Sequence, residues 1–348
     1  MPYGAGVDSE GSDDRHAWER PGAFEVAPGV HRIPLPLPND GLKAVNVYAI
    51  SDGDEVVCID GGWSLAESRD LLERGLGEIG YGLDQVREFL CTHHHRDHYT
   101  QAVAVRRSHG TRVSLGEGER GSFEFMRALG DEHPDVARLL AAGADDLART
   151  LAELHGTFDL SDYEDPDRWL VDSVDLPLRT RTLRVIATPG HTVGHVVFHD
   201  VANTALFAGD HVLPHITPSI GVELNRPPSP LRDYLSSLEL VRALPDARLL
   251  PAHGPATASV HERIDELLAF HAERLDETAT VVEKGASSAF EAARELGWTR
   301  RRRRFDDMDF FNRLLAVQET MAHLLVLTER GVLDSQPDET GVIRFVRR

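Results

Sequence analysis

Thr92-His93-His94-His95-Arg96-Asp97-His98 follows directly on an apolar run, Val86 to Cys91, and His93, His95, Asp97 and His98 bring four potential metal ligands into six residues. If Val86 to Thr92 is a strand, His93 and His95 lie two residues apart and leave its end on the same side, where both imidazoles can grip one ion. Asp97 and His98 fall where the chain should turn into a helix, a place that favours a carboxylate near exposed N–H groups and the positive end of the dipole. They can face a second ion, whereas His94 points away from the pair and its replacement should matter little. The competing reading is a histidine-rich surface loop. With 18 His in 348 residues, His-x-His-x-Asp-His arises by chance in roughly one such chain in several hundred. Two ions need further ligands, and three turns after apolar runs offer them: His191 in Thr188-Pro189-Gly190-His191, Asp210 in Phe207-Ala208-Gly209-Asp210 and His253 in Pro251-Ala252-His253-Gly254.

On these motifs, together with Asp60 in Cys58-Ile59-Asp60-Gly61-Gly62, the chain from about 26 to 257 resembles the metallo-β-lactamase superfamily of hydrolases, which includes glyoxalase II, RNase Z and the lactonases. The resemblance implies an α/β (α+β) fold, a four-layer αββα sandwich. It implies His93, His95 and His191 on a first metal, Asp97, His98 and His253 on a second, and Asp210 bridging them. Asp97 and Asp210 then carry catalysis as ligands, and Asp60 supports the ligand loop from behind. Imidazole and carboxylate suit Zn²⁺, two per chain, and also admit Fe²⁺ or Mn²⁺. The implied nucleophile is a metal-bound hydroxide, from a water whose pKa is drawn from about 15.7 towards 7. His195 and Tyr99, next to ligands, are expected as supports; His211 and His215 are candidates to bind substrate or donate protons, or else loop histidines bonded to backbone.

Composition bounds the class. A net charge of −20 opposes general affinity for nucleic acid or anionic membrane. No apolar run approaches the 18 or more residues that a membrane span needs. Residues 1–25, rich in Asp, Glu, Gly and Arg, read as a flexible extension rather than a secretory signal, and the protein as cytoplasmic. Cys58 and Cys91 each sit in an apolar run and read as buried thiols.

Along the chain, strands at Val30 to Leu37, Ala44 to Ile50 and Glu55 to Ile59, with Asp40-Gly41 as a turn, precede a helix from Leu65 to Ile79. After the metal motif come a helix to Ser108 and a strand, Thr111 to Leu115. Residues 117–160 hold helical segments almost without strand residues and read as an insertion, either a lid or pocket wall or a packing or dimer element. Strands resume at 168–171, 182–188, 195–199 and 204–207, then a helix from Pro230 and a last strand before His253. A second domain, 258–348, shows three helical patterns and a hairpin. That order resembles a winged helix, and with the preceding domain it looks like the lactamase-β-2-like branch of the superfamily, some of whose members cleave RNA. Arg300 to Arg304 could meet phosphates, but Asp306, Asp307 and Asp309 dilute the field.

The leading expectation is therefore a hydrolase of a small ester, thioester (as in hydroxyacylglutathione) or lactone, with a small-molecule substrate, no membrane and room for a homo-oligomer. The alternatives are an endoribonuclease, an iron-dependent sulfur dioxygenase and a non-enzymatic winged-helix binding protein. Where many superfamily members carry two glycines after the Asp-His pair, this chain has Tyr99-Thr100-Gln101, and the substrate module of glyoxalase II is not recognisable.

Overall fold

The computed structural model describes residues 16–38, 41–130, 133–154, 160–299 and 302–348. Its first sheet takes the strands in chain order: β1 (Phe24–Ala27), β2 (Val30–Pro36), β3 (Ala44–Asp52), β4 (Glu55–Ile59), β5 (Val86–Cys91), β6 (Arg112–Gly116) and β7 (Arg168–Leu170). The early strands pair antiparallel through short turns, whereas β4 to β7 run parallel. Parallel neighbours need crossovers, and α1 (Ala66–Glu78), α2 (Arg96–His109) and the helical stretch α3 (Arg120–Ala128), α4 (Pro134–Ala141) and α5 (Asp145–Glu153) supply them. The second sheet, β8 (Asp175–Pro177), β9 (Thr182–Ala187), β10 (Val196–Asp200), β11 (Ala205–Gly209) and β12 (Arg248–Pro251), has order β12-β11-β10-β9-β8. Helix α6 (Pro230–Arg242) links β11 to its parallel partner β12.

Alternation along the strands gives each sheet two apolar faces. Tyr48, Ile50, Val57, Ile59 and Leu90 from the first sheet meet Leu183, Val185, Phe198, Phe207 and Leu250 from the second in a dry middle layer. The far face of the first sheet packs on α1, α2 and α3 through Val47, Cys58, Phe89, Leu72, Tyr99, Val103 and Phe123. On the far side of the second sheet, Ile186, Val197, Leu206 and Leu249 lie under Leu231, Leu235 and Leu238 of α6. The result is the αββα sandwich.

The chain ends in α7 (Val260–Glu283), α8 (Ala289–Glu295), α9 (Phe310–Glu329) and a hairpin of β13 (Leu333–Pro337) and β14 (Ile343–Arg347). Three helices and a hairpin are thus present, but they do not enclose a core of their own. Ile264, Leu267, Val317, Leu324 and Phe345 belong to one apolar cluster with α6 and with Leu139, Ala142 and Leu147 of the insertion. Insertion and C-terminal unit cover the same outer layer.

Several expectations need correction. Residues 16–25 are not a loose extension: β1 starts at Phe24, the Trp18 carbonyl accepts from Arg32 Nη1 at 2.5 Å and Ala23 N–H donates to Glu78 at 2.8 Å. The rest of that stretch, 1–15, lies outside the described residues, as do Asp40 of the expected turn and Arg300 and Arg301 of the basic run. β8 has one buried residue, Leu176, between exposed neighbours, too short an alternation to be read as a strand. The cysteines are free and buried, and burial pushes the Cys58 thiol up to about 12.

Candidate metal centre

Parallel pairing places the ligands. Because β4 and β5 run side by side in one direction, their ends deliver Asp60 next to Thr92; β11 and β12 likewise deliver Asp210 next to His253. Thr92 N–H donates to Asp60 Oδ1 at 2.7 Å, and Val196 N–H donates to the Thr92 carbonyl at 2.8 Å, so the two sheets are joined at the ligand edge. Asn46 adds bonds to the Pro251 and Gly254 carbonyls at 2.9 and 2.8 Å. Asp60 itself holds φ at 59°, a left-handed conformation that side chains tolerate poorly and that turns its carboxylate under the motif. Gly194 is demanded by contact: a Cβ there would lie 2.0 Å from the Glu119 backbone nitrogen.

Three groups of donor atoms converge, each within 4.8 Å: His93, His95 and His191; His93, His98 and Asp210; Asp97, His98 and His253. His95 Nδ1 lies 2.9 Å from His93 Nε2 and 3.1 Å from His191 Nε2. Asp210 reaches both sides, with Oδ2 3.4 Å from His191 Nε2 and Oδ1 3.6 and 3.3 Å from His98 and His253 Nε2. Asp97 Oδ2 stands 3.6 and 3.5 Å from the same two nitrogens. Donors on a tetrahedron with bonds of about 2.1 Å are about 3.4 Å apart, which the distances from Asp97 and Asp210 match, whereas His95 Nδ1 stands closer to His93 and His191. His98 Nε2, His253 Nε2 and Asp210 Oδ1 are buried and have no hydrogen-bond partner among the described residues, and they point into the same space, where an ion would satisfy all three. The residues fit a pair of divalent ions.

The opposite ring nitrogens are held. His98 Nδ1 meets Asp60 Oδ2 at 2.9 Å, His253 Nδ1 the Ala44 carbonyl at 2.7 Å, His191 Nδ1 the Ser219 carbonyl at 3.0 Å and His93 Nδ1 the Thr92 hydroxyl at 3.0 Å. Such partners fix tautomer and ring orientation. His195 lies behind the site, with Nε2 accepting from Asp210 N–H at 3.2 Å and Nδ1 2.8 Å from Thr188 Oγ1.

Electrostatics agree with cation binding. Burial would depress His98, but Asp60, Asp97 and Asp210 overcome it and push the imidazole up to about 10. Burial would raise the Asp210 carboxyl, and His253 and His98 hold it well below the usual range instead. An ion bound at His98 Nε2 would have to displace the proton that these carboxylates favour there, and each displaced proton steepens the pH dependence of uptake. Zn²⁺ affinity is expected to rise between about pH 6 and 8 by about tenfold per unit for each proton displaced, with proton release in weak buffer. A flat profile would contradict His98 as a ligand.

Other candidates fall elsewhere. Tyr99 is in the apolar core, its hydroxyl donating to the Glu164 carbonyl at 2.6 Å, and it supports no ligand because its ring is turned towards Phe123. His211 is fully buried with its carbonyl taking the Tyr234 hydroxyl at 3.0 Å, so substrate cannot reach it. His215 is exposed, beside Gly254. Two carboxylates were missed. Glu223 Oε1 is 2.7 Å from His95 Nε2, and Glu119 Oε2 is 2.9 Å from His94 Nδ1. Glu223 stands between Val222 and Leu224, an isolated acid in an apolar stretch, and that was the one available signal.

Residues 40–253 match the family model described as the metallo-beta-lactamase superfamily. A metallo-beta-lactamase family protein of Thermus thermophilus superposes with a TM-score of 0.76 at 28% identity, covering 93% of this chain and 100% of that one. Among curated proteins, a beta-lactamase-like protein 2 homolog of Caenorhabditis elegans is 32% identical over 32% of this chain and 36% of its own length. A hydroxyacylglutathione hydrolase of Cereibacter sphaeroides is 30% identical over 49% of this chain and 52% of its own. These two matches span about a third and a half of the relatives' lengths.

Proposed function

The chain belongs to the metallo-beta-lactamase superfamily, and from that premise we propose that it is a metallo-hydrolase that cleaves a small ester, thioester or lactone at a dinuclear zinc site. Two such ions would supply Lewis acidity, acidifying a water into the nucleophile and polarising the scissile oxygen. The side chains of His95 and Asp97 are 30% and 15% exposed while those of His98, His191, Asp210 and His253 are nearly sealed, so substrate approaches across the first two. His93, His191 and His253 hold the floor, and the carboxylates of Asp97 and Asp210 set its charge.

The observation that carries the thioester form of this reading is the burial of His211. An alkoxide leaving from RNA needs a proton from a placed acid, and of the two imidazoles that could have given it only His215 reaches the surface. The alkoxide of an ester or lactone would need the same help, whereas a thiolate, with a pKa near 8.5, leaves without it, so among the three substrates the argument favours the thioester. Similarity to a protein named for hydroxyacylglutathione hydrolysis supports the same choice. In the basic run, Arg302 is paired with Glu277 at 2.7 Å and Arg303 with the Asp307 carbonyl at 2.7 Å, so a phosphate backbone would have to compete with these contacts.

The test is a panel of thioesters, lactones and aryl esters against single-stranded RNA, on the full chain loaded with Zn²⁺, Mn²⁺ or Fe²⁺. Ending the chain at Gly254 is not a useful comparison, since it would strip α7 and α9 from the cluster they share with α6. Acyl hydrolysis that tracks bound metal, up to two ions per chain, is expected. RNA cleavage lost in His253→Ala and weakened in Arg302→Ala, with no acyl turnover, would promote the nuclease; protein that takes up none of these metals would sink the assignment.

A further inference from the structure

We propose that the helical insertion and the C-terminal unit act on the metal centre through one carboxylate, Glu223, which fixes the ring of His95 so that Nδ1 rather than Nε2 faces the first metal position. This rests on the dinuclear reading above and assigns a positioning residue to it.

His95 is the exception among the first three imidazoles, since it turns Nδ1 towards His93 and His191. Its Nε2 is 2.7 Å from Glu223 Oε1, on a side chain 6% exposed. His94, His95 and Glu223 also come together as possible ligands, but Glu223 meets the outward nitrogen of His95, opposite the Nδ1 that faces His93 and His191, so it lies behind the ring and not among the donors around the first position. The group therefore reads as a support. An N–H at Nε2 leaves Nδ1 as the basic nitrogen, and a ring free to turn would lose that distinction.

Glu223 lies in the irregular segment between β11 and α6, with no ladder to aim it. It is gripped from two sides. Arg138 of α4, oriented by Asp135 at 2.8 Å, donates to the Glu223 carbonyl at 2.7 Å and the Leu224 carbonyl at 2.5 Å. Arg226 donates to the Gly221 carbonyl at 2.8 Å and to Gln318 of α9 at 2.6 Å. Residues 221 to 226 are thus clamped by two elements outside the sandwich, and those elements pack on each other through Leu139, Leu314 and Val317. Ligand geometry must hold to about 0.5 Å, which a free loop does not provide. The insertion is a strut to the ligand shell.

Two substitutions separate contact from charge. Glu223→Gln keeps an oxygen that accepts from Nε2–H, whereas Glu223→Asp keeps the charge opposite His94 but withdraws the oxygen by one methylene. Zn²⁺ titration against a chromophoric chelator should show one of two ions bound about 10- to 100-fold more weakly in Glu223→Asp and Glu223→Ala, with Glu223→Gln recovering most of the loss. The visible bands of the Co²⁺-loaded protein should shift in the first two. Arg138→Ala should weaken the same ion, and combined with Glu223→Ala should add nothing, because it acts through Glu223. Unfolding of the metal-free variants checks that each is folded. Unchanged affinity in both Glu223→Asp and Glu223→Ala, or full additivity with Arg138→Ala, overturns the proposal while leaving the dinuclear reading in place. A wild-type chain that binds no ion overturns both.

Discussion

Replacing Asp210 by Ala is expected to empty the shared position of the centre and abolish turnover. Its two oxygens face different ligand groups, Oδ2 towards His191 at 3.4 Å and Oδ1 towards His98 and His253 at 3.6 and 3.3 Å, so one substitution removes a donor from each. Without it the pocket also loses one of the three carboxylates that raise His98. Removing a single preorganised stabilising group costs about 10² to 10³ in kcat; losing a ligand common to two ions should cost at least the upper end of that range. Metal per chain by elemental analysis should fall in parallel with activity. Because Asp210 is one of the carboxylates facing His98 and His253, the metal-free variant is also expected to lose stability, so unfolding of that variant should be measured beside its metal content. An Asp210→Ala protein with two ions and normal rate would remove the bridging role.

His94→Ala is expected to be costly, contrary to what its position between two ligands suggested. The imidazole does face away from the metal ligands, but it faces two carboxylates: Nδ1 is 2.9 Å from Glu119 Oε2 and Nε2 is 3.7 Å from Glu223 Oε2. Glu119 is fully buried and further bonded to Ser122 at 3.1 Å and to the Thr192 hydroxyl, so neither carboxylate can turn to water. Burial would lower His94, yet Glu119 and Glu223 push it up to about 9; burial would raise Glu223, yet His94 and His95 draw it down to about 2. Breaking a buried pair by removing one partner costs about 3–5 kcal/mol, since the remaining charge is left uncompensated. The sign with pH follows from linkage. The raised His94 contributes fully below its unfolded pKa of about 6.5 and loses that contribution as pH rises through about 9. The depressed Glu223 contributes above about 4.3 and loses it as pH falls towards about 2. The penalty of His94→Ala should therefore be largest near pH 5 to 6 and shrink towards pH 9. Chemical denaturation of the metal-free proteins at both ends of that window measures it; an equal penalty at both, or one below about 1 kcal/mol, would show that the pair is not charged.

The sandwich was legible because its elements are long and patterned. Strand β5, helix α2 and helix α6 appear within a residue or two of where periodicity puts them, and Gly110 at φ 72° closes α2. What failed was short or unpatterned. β8 has three residues, and β1 carries Phe24 and Glu25 exposed on an edge, so neither shows an alternation. In the C-terminal region the helices and hairpin were readable one by one, but their outer positions looked like the core of a separate unit. Only in three dimensions do Ile264 and Val317 meet Leu139 and Leu231.

By itself the sequence determined which candidate donors come together first, because His93, His95, Asp97 and His98 are local in the chain and a strand end followed by a helix start leaves few ways to aim them. It also determined where His191, Asp210 and His253 would arrive, since each ends an apolar strand and ligand loops gather at strand ends. Tertiary structure alone decided the supports. Glu119, in the 3-10 turn before α3, and Glu223, in an irregular segment, lie 25 and 128 residues from the imidazoles they hold, and no period in the chain records which carboxylate a folded neighbour will turn inward. It likewise decided that His211 is sealed and His215 is open, four residues apart in the same loop. Burial is a property of what packs on a residue, and here the covering layer is Tyr234 of α6, brought by a helix whose own sequence carries no sign of the histidine beneath it.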